Sequence, residues 1–138
     1  MTTLTVEEMK PVLFQPKSQR RWILEIPEMD SFLFTKVTLE PLQRHTKDRC
    51  KMWVYMHDPI APSGEQQVNV WITMQNNKPR QVQLKLLDPI GTVFSLRHFN
   101  DVIVERVEFP DLDYGVSGQD ELRILKLELS YASTVLEF

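Results

Sequence analysis

The sequence predicts a mainly β domain, an antiparallel β-sandwich or barrel with one short α-helix. Short runs rich in β-branched and aromatic residues recur along the chain, and prolines or turn residues end most of them. The length of 138 residues is typical of one domain with one core. A single segment carries helix-capping signals. We therefore expect residues 21–138 to form one β domain, and residues 1–20 to precede it as an extended arm.

Seven strands are predicted from these runs: 22–26, 31–39, 51–57, 81–87, 92–99, 102–109 and 121–131. A proline stands within two residues of the end of each of the first four, and proline cannot donate to the hydrogen-bond ladder of a sheet. Asn100 and Asp101 separate the fifth strand from the sixth and predict a tight hairpin turn, although the glycine that favours such a turn is missing. In the last strand the apolar phase slips by one residue at Ile124 and Leu125. A β-bulge would explain the slip, and so would a strand buried on both faces.

The segment 63–77 fits two structures. Its apolar residues alternate as in a half-buried strand: Val68, Val70, Ile72 and Met74. However, Ser63 and Gln66 have the spacing of a capping box, and Glu65 suits the positive end of a helix dipole. Asn76 and Asn77 can end a helix. These caps favour a helix over residues 63–75.

Strand edges are the main difficulty of this predicted fold. The strands at 31–39 and 121–131 are long, and few prolines or inward charges would protect them at the edge of a sheet. Continuing the sheet into a neighbouring copy, in a closed ring, would cover such edges. The N-terminal arm is too apolar for a segment that stays in water, so we expect it to dock onto another surface.

Composition restricts the function classes. The formal net charge of −3 argues against a dedicated nucleic-acid binder, because such a protein needs clustered Lys and Arg. No apolar run approaches the ~18 residues of a membrane helix, and the N-terminal residues lack the layout of a signal peptide, so no membrane insertion is expected. Cys50 is the only cysteine, which excludes an intrachain disulfide.

Signatures of catalysis are missing from the sequence. His45, His57 and His98 lie far apart, and none has a second ligand at metal-site spacing. Nucleophile-elbow, phosphate-loop and metalloprotease motifs do not occur. We therefore expect no enzyme activity, no cofactor and no metal site.

Acidic residues gather at Glu105, Glu108, Asp111 and Asp113. A solvated acidic loop is the simplest interpretation. A calcium site is a weaker one, because further oxygen ligands at loop spacing are missing. A surface that repels DNA is a third interpretation, and it depends on the function of the whole protein.

Several motifs resemble those of the tail tube proteins of contractile-tailed bacteriophages. The segments LLDPIGTV, VEFPDLDYG and LKLELSY occur in the order found in the C-terminal half of that family, and YMHDPIAPSGEQQVNVWI is similar to its middle segment. The matching positions are Asp58, Pro59, Pro62, Gln67, Trp71, Asp88, Pro89, Gly91, Phe109, Asp111, Leu112, Asp113 and Tyr114. The likeness covers about 22–131 and also favours the helix.

This resemblance implies a structural virion protein, assembled in the bacterial host cytoplasm into the viral tail. Its subunits would form hexameric rings that stack into an inner tube, through which DNA passes without specific binding. The sheath protein, the baseplate and the tail terminator are the implied partners. A baseplate or tube-initiating protein, or the tube of a related injection system, is the alternative on the same fold.

Two sets of site residues follow from this hypothesis. We expect some of Glu105, Glu108, Asp111 and Asp113 to face the channel or its rim, where negative charge repels DNA. We expect the apolar arm and the basic loop after 41 to form the contact between rings. The candidates there are Leu4, Val6, Met9, Arg44, Lys47 and Arg49.

Overall fold

A computed structural model describes residues 21–41, 48–112 and 123–138. The predicted arm at 1–20 lies outside the described residues. In chain order the elements are β1 (Trp22–Glu25), a 3-10 turn (Ser31–Leu33), β2 (Phe34–Leu39), β3 (Cys50–His57), α1 (Gly64–Asn69) continued by a π-helical turn (Val70–Met74), β4 (Arg80–Leu87), β5 (Val93–Glu108), β6 (Ile124–Tyr131) and β7 (Ser133–Leu136).

The strands form two antiparallel sheets that share β5. Sheet A has the order β1, β4, first half of β5, β7, and sheet B has the order second half of β5, β6, β3, β2. The mainly β antiparallel fold with one short helix is therefore confirmed. Among the described residues it is an open sandwich, because the strand path ends at β1 and β2 without closing into a barrel.

One apolar core lies between the sheets. Val82 and Phe99 from sheet A are buried in the same cluster as Leu127 and Tyr131 from sheet B. The rings of Phe99 and Tyr131 meet edge to face with centroids 4.9 Å apart. The alternating burial along β3 and β6 shows that sheet B buries one face and exposes the other.

The predicted hairpin at Asn100 and Asp101 is wrong, because the chain does not reverse there but continues as one bent strand, β5. Of this pair only Asp101 has a positive φ, 54°, whereas the favoured two-residue turn without a leading glycine needs positive φ at both positions. Phe99 pairs with Val82 and Val102 pairs with Arg80, so β5 has one residue more than β4 between these two pairs. This bulge lets β5 leave sheet A and enter sheet B.

The phase slip at Ile124 and Leu125 has a different cause from either one predicted. The pairing of β6 with β3 is unbroken from Ile124 to Tyr131. Leu125 is buried, and Ile124 is simply an apolar residue on the exposed face. A bulge does lie opposite β6, but it belongs to β5, between Val104 and Arg106.

The predicted helix is confirmed, and its start uses the predicted cap. Ser63 Oγ accepts a hydrogen bond from the amide of Gln66 at 3.2 Å. Asp58 Oδ1 accepts a second one from the amide of Glu65 at 3.0 Å. Two of the amides that a first helical turn leaves unpaired are thereby satisfied by side chains. None of the described helices is long and apolar enough to cross a membrane.

The end of the helix is joined to both sheets. Trp71 is fully buried and donates from Nε1 to the carbonyl of Lys78 at 2.8 Å, while the guanidinium of Arg80 lies 4.4 Å from its ring. Asn77 adopts a left-handed conformation with φ 53°, and its side-chain amide pairs with both backbone groups of Val104 at 2.8 and 2.9 Å. This pair of hydrogen bonds ties the end of the helix to β5.

Candidate assembly surface

Sheet B has two free edges. Among the described residues no strand pairs with the outer side of β2 or of 103–108 in β5. The side chain of Asn77 already binds the amide and the carbonyl of Val104, so the open part of the β5 edge lies after Val104. β6, one of the two long strands that would leave an exposed edge at the end of a sheet, is an interior strand between β3 and β5. The two free edges run in opposite directions, because three antiparallel pairings separate them. Opposite edges of opposite direction are suited to head-to-tail joining of identical copies.

The exposed face of sheet B carries a row of cations around a tyrosine. Lys36, Tyr55 and Lys126 lie side by side on three adjacent strands. The two ammonium groups lie 5.2 and 5.6 Å from the centroid of the tyrosine ring, within the range of a cation–π contact. Glu108 ends the row at the β5 edge.

Carboxylates on the same face pair with the remaining cations. Glu128, whose side chain is 14% exposed, lies 3.1 Å from Lys51 and 3.4 Å from Arg106. Glu108 lies 2.7 Å from Arg106 and 3.9 Å from Lys126. Charges of both signs therefore interleave on this face, and it has no block of one sign.

A polar cluster fills the corner where β5 bends. Arg49 donates from Nε to the hydroxyl of Ser130 at 2.8 Å, and from Nη2 to the carbonyls of Ser130 and Asp101. The hydroxyl of Ser130 donates to Glu105 at 2.6 Å. The guanidinium of Arg49 thus holds β3 to β5 and β6 within the chain. Its predicted contact with another ring stays a prediction.

Asp58 is the centre of a second cluster, at the start of α1. Besides the helix amide, its carboxylate binds the hydroxyl of Ser63 at 3.3 Å and Arg123 at 2.8 Å. Arg123 also binds Glu65 at 2.8 Å and lies 5.7 Å from the ring of Phe109. The hydrogen bond with Glu65 raises the pKa of Arg123 above its ordinary value, while desolvation opposes this shift. The motif residue Asp58 is therefore a structural junction between the helix, β3 and the start of β6.

An open groove lies between α1 and the end of β5. Its volume is about 500 Å³, and its lining combines apolar and polar side chains. These are Ser63, Glu65, Gln66, Val68, Asn69, Ile72, Val107, Phe109 and Leu125. Phe109 stands at the groove with 54% of its surface exposed. Val107 of its lining belongs to the stretch of β5 whose outer side has no partner strand among the described residues.

The motif D-P-x-G builds the turn between β4 and β5. Asp88 Oδ1 accepts hydrogen bonds from the amides of Ile90 at 3.0 Å and Thr92 at 2.8 Å. Gly91 has a φ of 89°, which residues with a side chain rarely adopt. The turn therefore needs both motif residues. It presents Ile90 to solvent with 86% of its surface exposed.

The remaining predicted site residues are either exposed or outside the described part of the chain. Pro59, at the end of β3, and Asp111, after β5, are exposed. Several candidates lie outside the described residues: Leu4, Val6, Met9, Arg44, Lys47, Asp113 and Tyr114. Within the described part of the chain, His, Cys, Asp and Glu form no group of three that could hold a metal ion.

Sequence reasoning missed Arg123 and Asn77. Both act through partners that are distant in the chain, so neither belongs to a local motif. A weak signal for Asn77 was its place at the predicted helix end, where asparagine tolerates the left-handed conformation.

No family model and no curated protein matches this sequence. Solved structures do match it over most of its length. A chain of the sheath-tube complex of PVC, an extracellular contractile injection system in the extended state, has a TM-score of 0.69 at 8% identity and covers 98% of this chain and 99% of its own. A chain of the PVC sheath/tube terminator has a TM-score of 0.71 at 9% identity, covering 89% and 97%.

A third similar structure is Hcp1 from Flavobacterium johnsoniae. Its TM-score is 0.56 at 11% identity, and the match covers 85% of this chain and 94% of that one. At these identities the likeness concerns the fold. The chain has the tail-tube fold, which tube components of contractile injection systems share, as the sequence motifs predicted.

Proposed function

We propose that this protein is a structural, non-catalytic subunit of the inner tube of a contractile tail, in which stacked hexameric rings form a conduit. The observation that carries the proposal is sheet B, open on two opposite sides with edges of opposite direction. A copy rotated about a ring axis keeps the direction of its strands, so its β2 meets β5 of the first copy antiparallel. Repeated around the axis, this joining leaves no free edge in sheet B.

The position of the rest of the subunit indicates which face of sheet B lines the inside of such a ring. Sheet A and the helix end pack on the buried face of sheet B. A closed ring offers more room outside than inside, so this bulk points outwards. The exposed face of sheet B then lines the channel.

The charges on that face suit a conduit that does not retain its cargo. Lys51, Arg106 and Lys126 already have carboxylate partners, so phosphates gain little by replacing them. Glu105 and Glu108, on the β5 edge, and Asp111 and Asp113, in the following segment, would lie at the channel or its rim. We propose DNA as the cargo of a phage tail, with the sheath, baseplate and terminator as partners. The protein would assemble in the bacterial host cytoplasm and belong to the virion.

Contacts between rings would come from other segments. The apolar arm with Leu4, Val6 and Met9, and the basic loop with Arg44, Lys47 and Arg49, are the proposed contributors.

A ring-terminating or baseplate protein is the second candidate. The likeness to the PVC sheath/tube terminator, with a TM-score of 0.71, is as strong as that to the sheath-tube complex at 0.69. A chain of the anti-feeding prophage tube-terminating cap also matches, with a TM-score of 0.68. Such a protein would use the same sheet-joining edges in a single ring.

Negative-stain electron microscopy of the purified full chain tests both candidates. Tubes that lengthen with concentration support the tube subunit, and single rings support the terminator. A monodisperse monomer at high concentration would refute both. Removal of residues 1–20 is expected to leave rings that do not lengthen, and normal tube growth after this truncation would contradict the proposed contact between rings.

A further inference from the structure

We propose that Phe32 of one copy inserts into the groove between α1 and β5 of the next copy, and that it anchors the ring. This inference rests on the proposed function and adds the side chains that make the joint specific. The 3-10 turn holds Phe32 with 69% of its surface exposed, although its neighbour Leu33 is buried.

The turn presents Phe32 rigidly. Leu33 lies in the core, and its amide donates to the carbonyl of Asp30 at 3.2 Å. Asp30 is in turn bound twice to Gln67 of α1, through its amide at 3.1 Å and its carboxylate at 2.8 Å. An exposed aromatic ring on a backbone fixed in this way loses little conformational freedom on binding.

Topology places Phe32 and the β5 wall of the groove on opposite flanks of the subunit, at the same end. Phe32 precedes β2, whose first residue pairs with Met56 near the end of β3. The groove adjoins Val107 and Phe109 at the end of β5, and Glu108 lies level with Lys126 and Tyr55 in that same region. When β2 of one copy pairs with β5 of the next, Phe32 therefore arrives at the groove.

Charge complementarity supports the same alignment. Lys36 on the β2 edge shares a row of sheet B with Glu108 on the β5 edge. In the joined sheet the Lys36 ammonium of one copy meets the Glu108 carboxylate of its neighbour, and the arrangement brings Phe32 beside Phe109. The occupant of the groove is thus a second copy of this chain.

Cysteine cross-linking tests the contact directly. Phe32→Cys and Phe109→Cys are combined in full-length protein that carries Cys50→Ala. Three strand spacings of about 4.8 Å separate the two edges within one subunit, which is too far for a disulfide, so a bond can form only between copies. We expect a ladder of multiples of 16.3 kDa on a non-reducing gel. The pair Ile90→Cys with Phe109→Cys, in which Ile90 is even more exposed than Phe32, should give no ladder.

A second pair of cysteine substitutions tests the same contact without changing Phe109. Phe32→Cys with Val107→Cys uses a second groove position, which lies on β5 and is likewise three strand spacings from β2, and should give the same ladder. Rings seen by microscopy without a ladder from either pair would overturn the anchor and leave the proposed function intact. A chain that forms neither rings nor ladders would overturn both.

Loss of the anchor should weaken assembly by a measurable factor. Phe32→Glu is expected to raise the concentration of half-assembly at least about tenfold, since a phenylalanine side chain leaves water on binding. Ile90→Glu is the matched control and should leave ring formation unchanged. Equal effects of the two substitutions would count against the anchor.

Discussion

The carboxylate of Asp58 should be worth far more to the fold than its single charge suggests. Asp58→Ala removes three hydrogen bonds at once: one from the helix amide at 3.0 Å, one from a hydroxyl at 3.3 Å and one from Arg123 at 2.8 Å. Its side chain is only 6% exposed, so water cannot easily replace them. A lost helix cap costs about 1 kcal/mol, and a hydrogen bond to a charged group adds about 1.5–3 kcal/mol.

Together these losses predict a decrease in unfolding free energy of about 2–4 kcal/mol. Urea denaturation followed by circular dichroism measures it, in a Phe32→Glu background and at a protein concentration below that of half-assembly, so that the monomer is unfolded. Glu65→Ala is the control, because it removes the other carboxylate of Arg123, whose side chain is 47% exposed. That exposed ion pair contributes less than about 1 kcal/mol. If the two substitutions cost the same, Asp58 is not the junction described here.

Four further outcomes are expected. Asn77→Ala should lower the unfolding free energy by about 2–4 kcal/mol, because it leaves an amide and a carbonyl of β5 unpaired. Gly64→Ala should destabilise by about 1–3 kcal/mol, since the added Cβ would lie 2.6 Å from a backbone carbonyl oxygen of β3. Glu108→Lys should weaken ring formation, and Lys36→Glu in the same chain should restore it. Glu128→Gln should leave Lys51 without its carboxylate partner and Arg106 with Glu108 alone, and should make assembled tubes retain DNA, with a retention that decreases as salt rises.

Controls for these outcomes lie elsewhere in the chain. Asn76→Ala changes a residue with the same φ of 53° and tests whether backbone strain alone explains the Asn77 effect. Glu137→Gln removes an equal charge beside His98 on sheet A, far from the proposed channel. DNA retention by both glutamine variants alike would contradict the placement of the sheet B face in the channel. Failure of Lys36→Glu to rescue Glu108→Lys would contradict the paired edges.

Local chemistry explains which elements could be predicted from sequence. The cap at Ser63 and the Asx turn at Asp88 each depend on hydrogen bonds to amides a few residues away, so their spacing is visible in the chain. The course of β5 depends instead on distant partners. Asn100 and Asp101 have the composition of a turn, and Asp101 does adopt a positive φ. Pairing with β4 on one side and β7 on the other nevertheless keeps the chain in one strand, so the deviation is a bulge and not a reversal. Tertiary pairing therefore overrides the turn propensity.

The candidate surface was only partly visible for the same reason. Acidic residues near 105–113 were found from sequence, but two of their contacts come from β6, which is distant in the chain: Lys126 lies 3.9 Å from Glu108, and Ser130 donates to Glu105. Phe32 had no sequence signal, because an apolar residue in a β-rich run is normally read as core. Its exposure follows from the 3-10 turn, in which Leu33 takes the buried position.

The bulge of β5 explains how such an edge could select its partner. A regular exposed edge pairs with any extended segment, and bulges are one means by which proteins prevent this. In β5 the bulge at Glu105 interrupts the pairing pattern, so only the stretch after it, next to the groove, is regular. A segment that pairs there gains few backbone hydrogen bonds unless it also fills the groove. Phe32 precedes β2 by two residues, so β2 of another copy can do both, and the edge favours its own chain over unrelated strands.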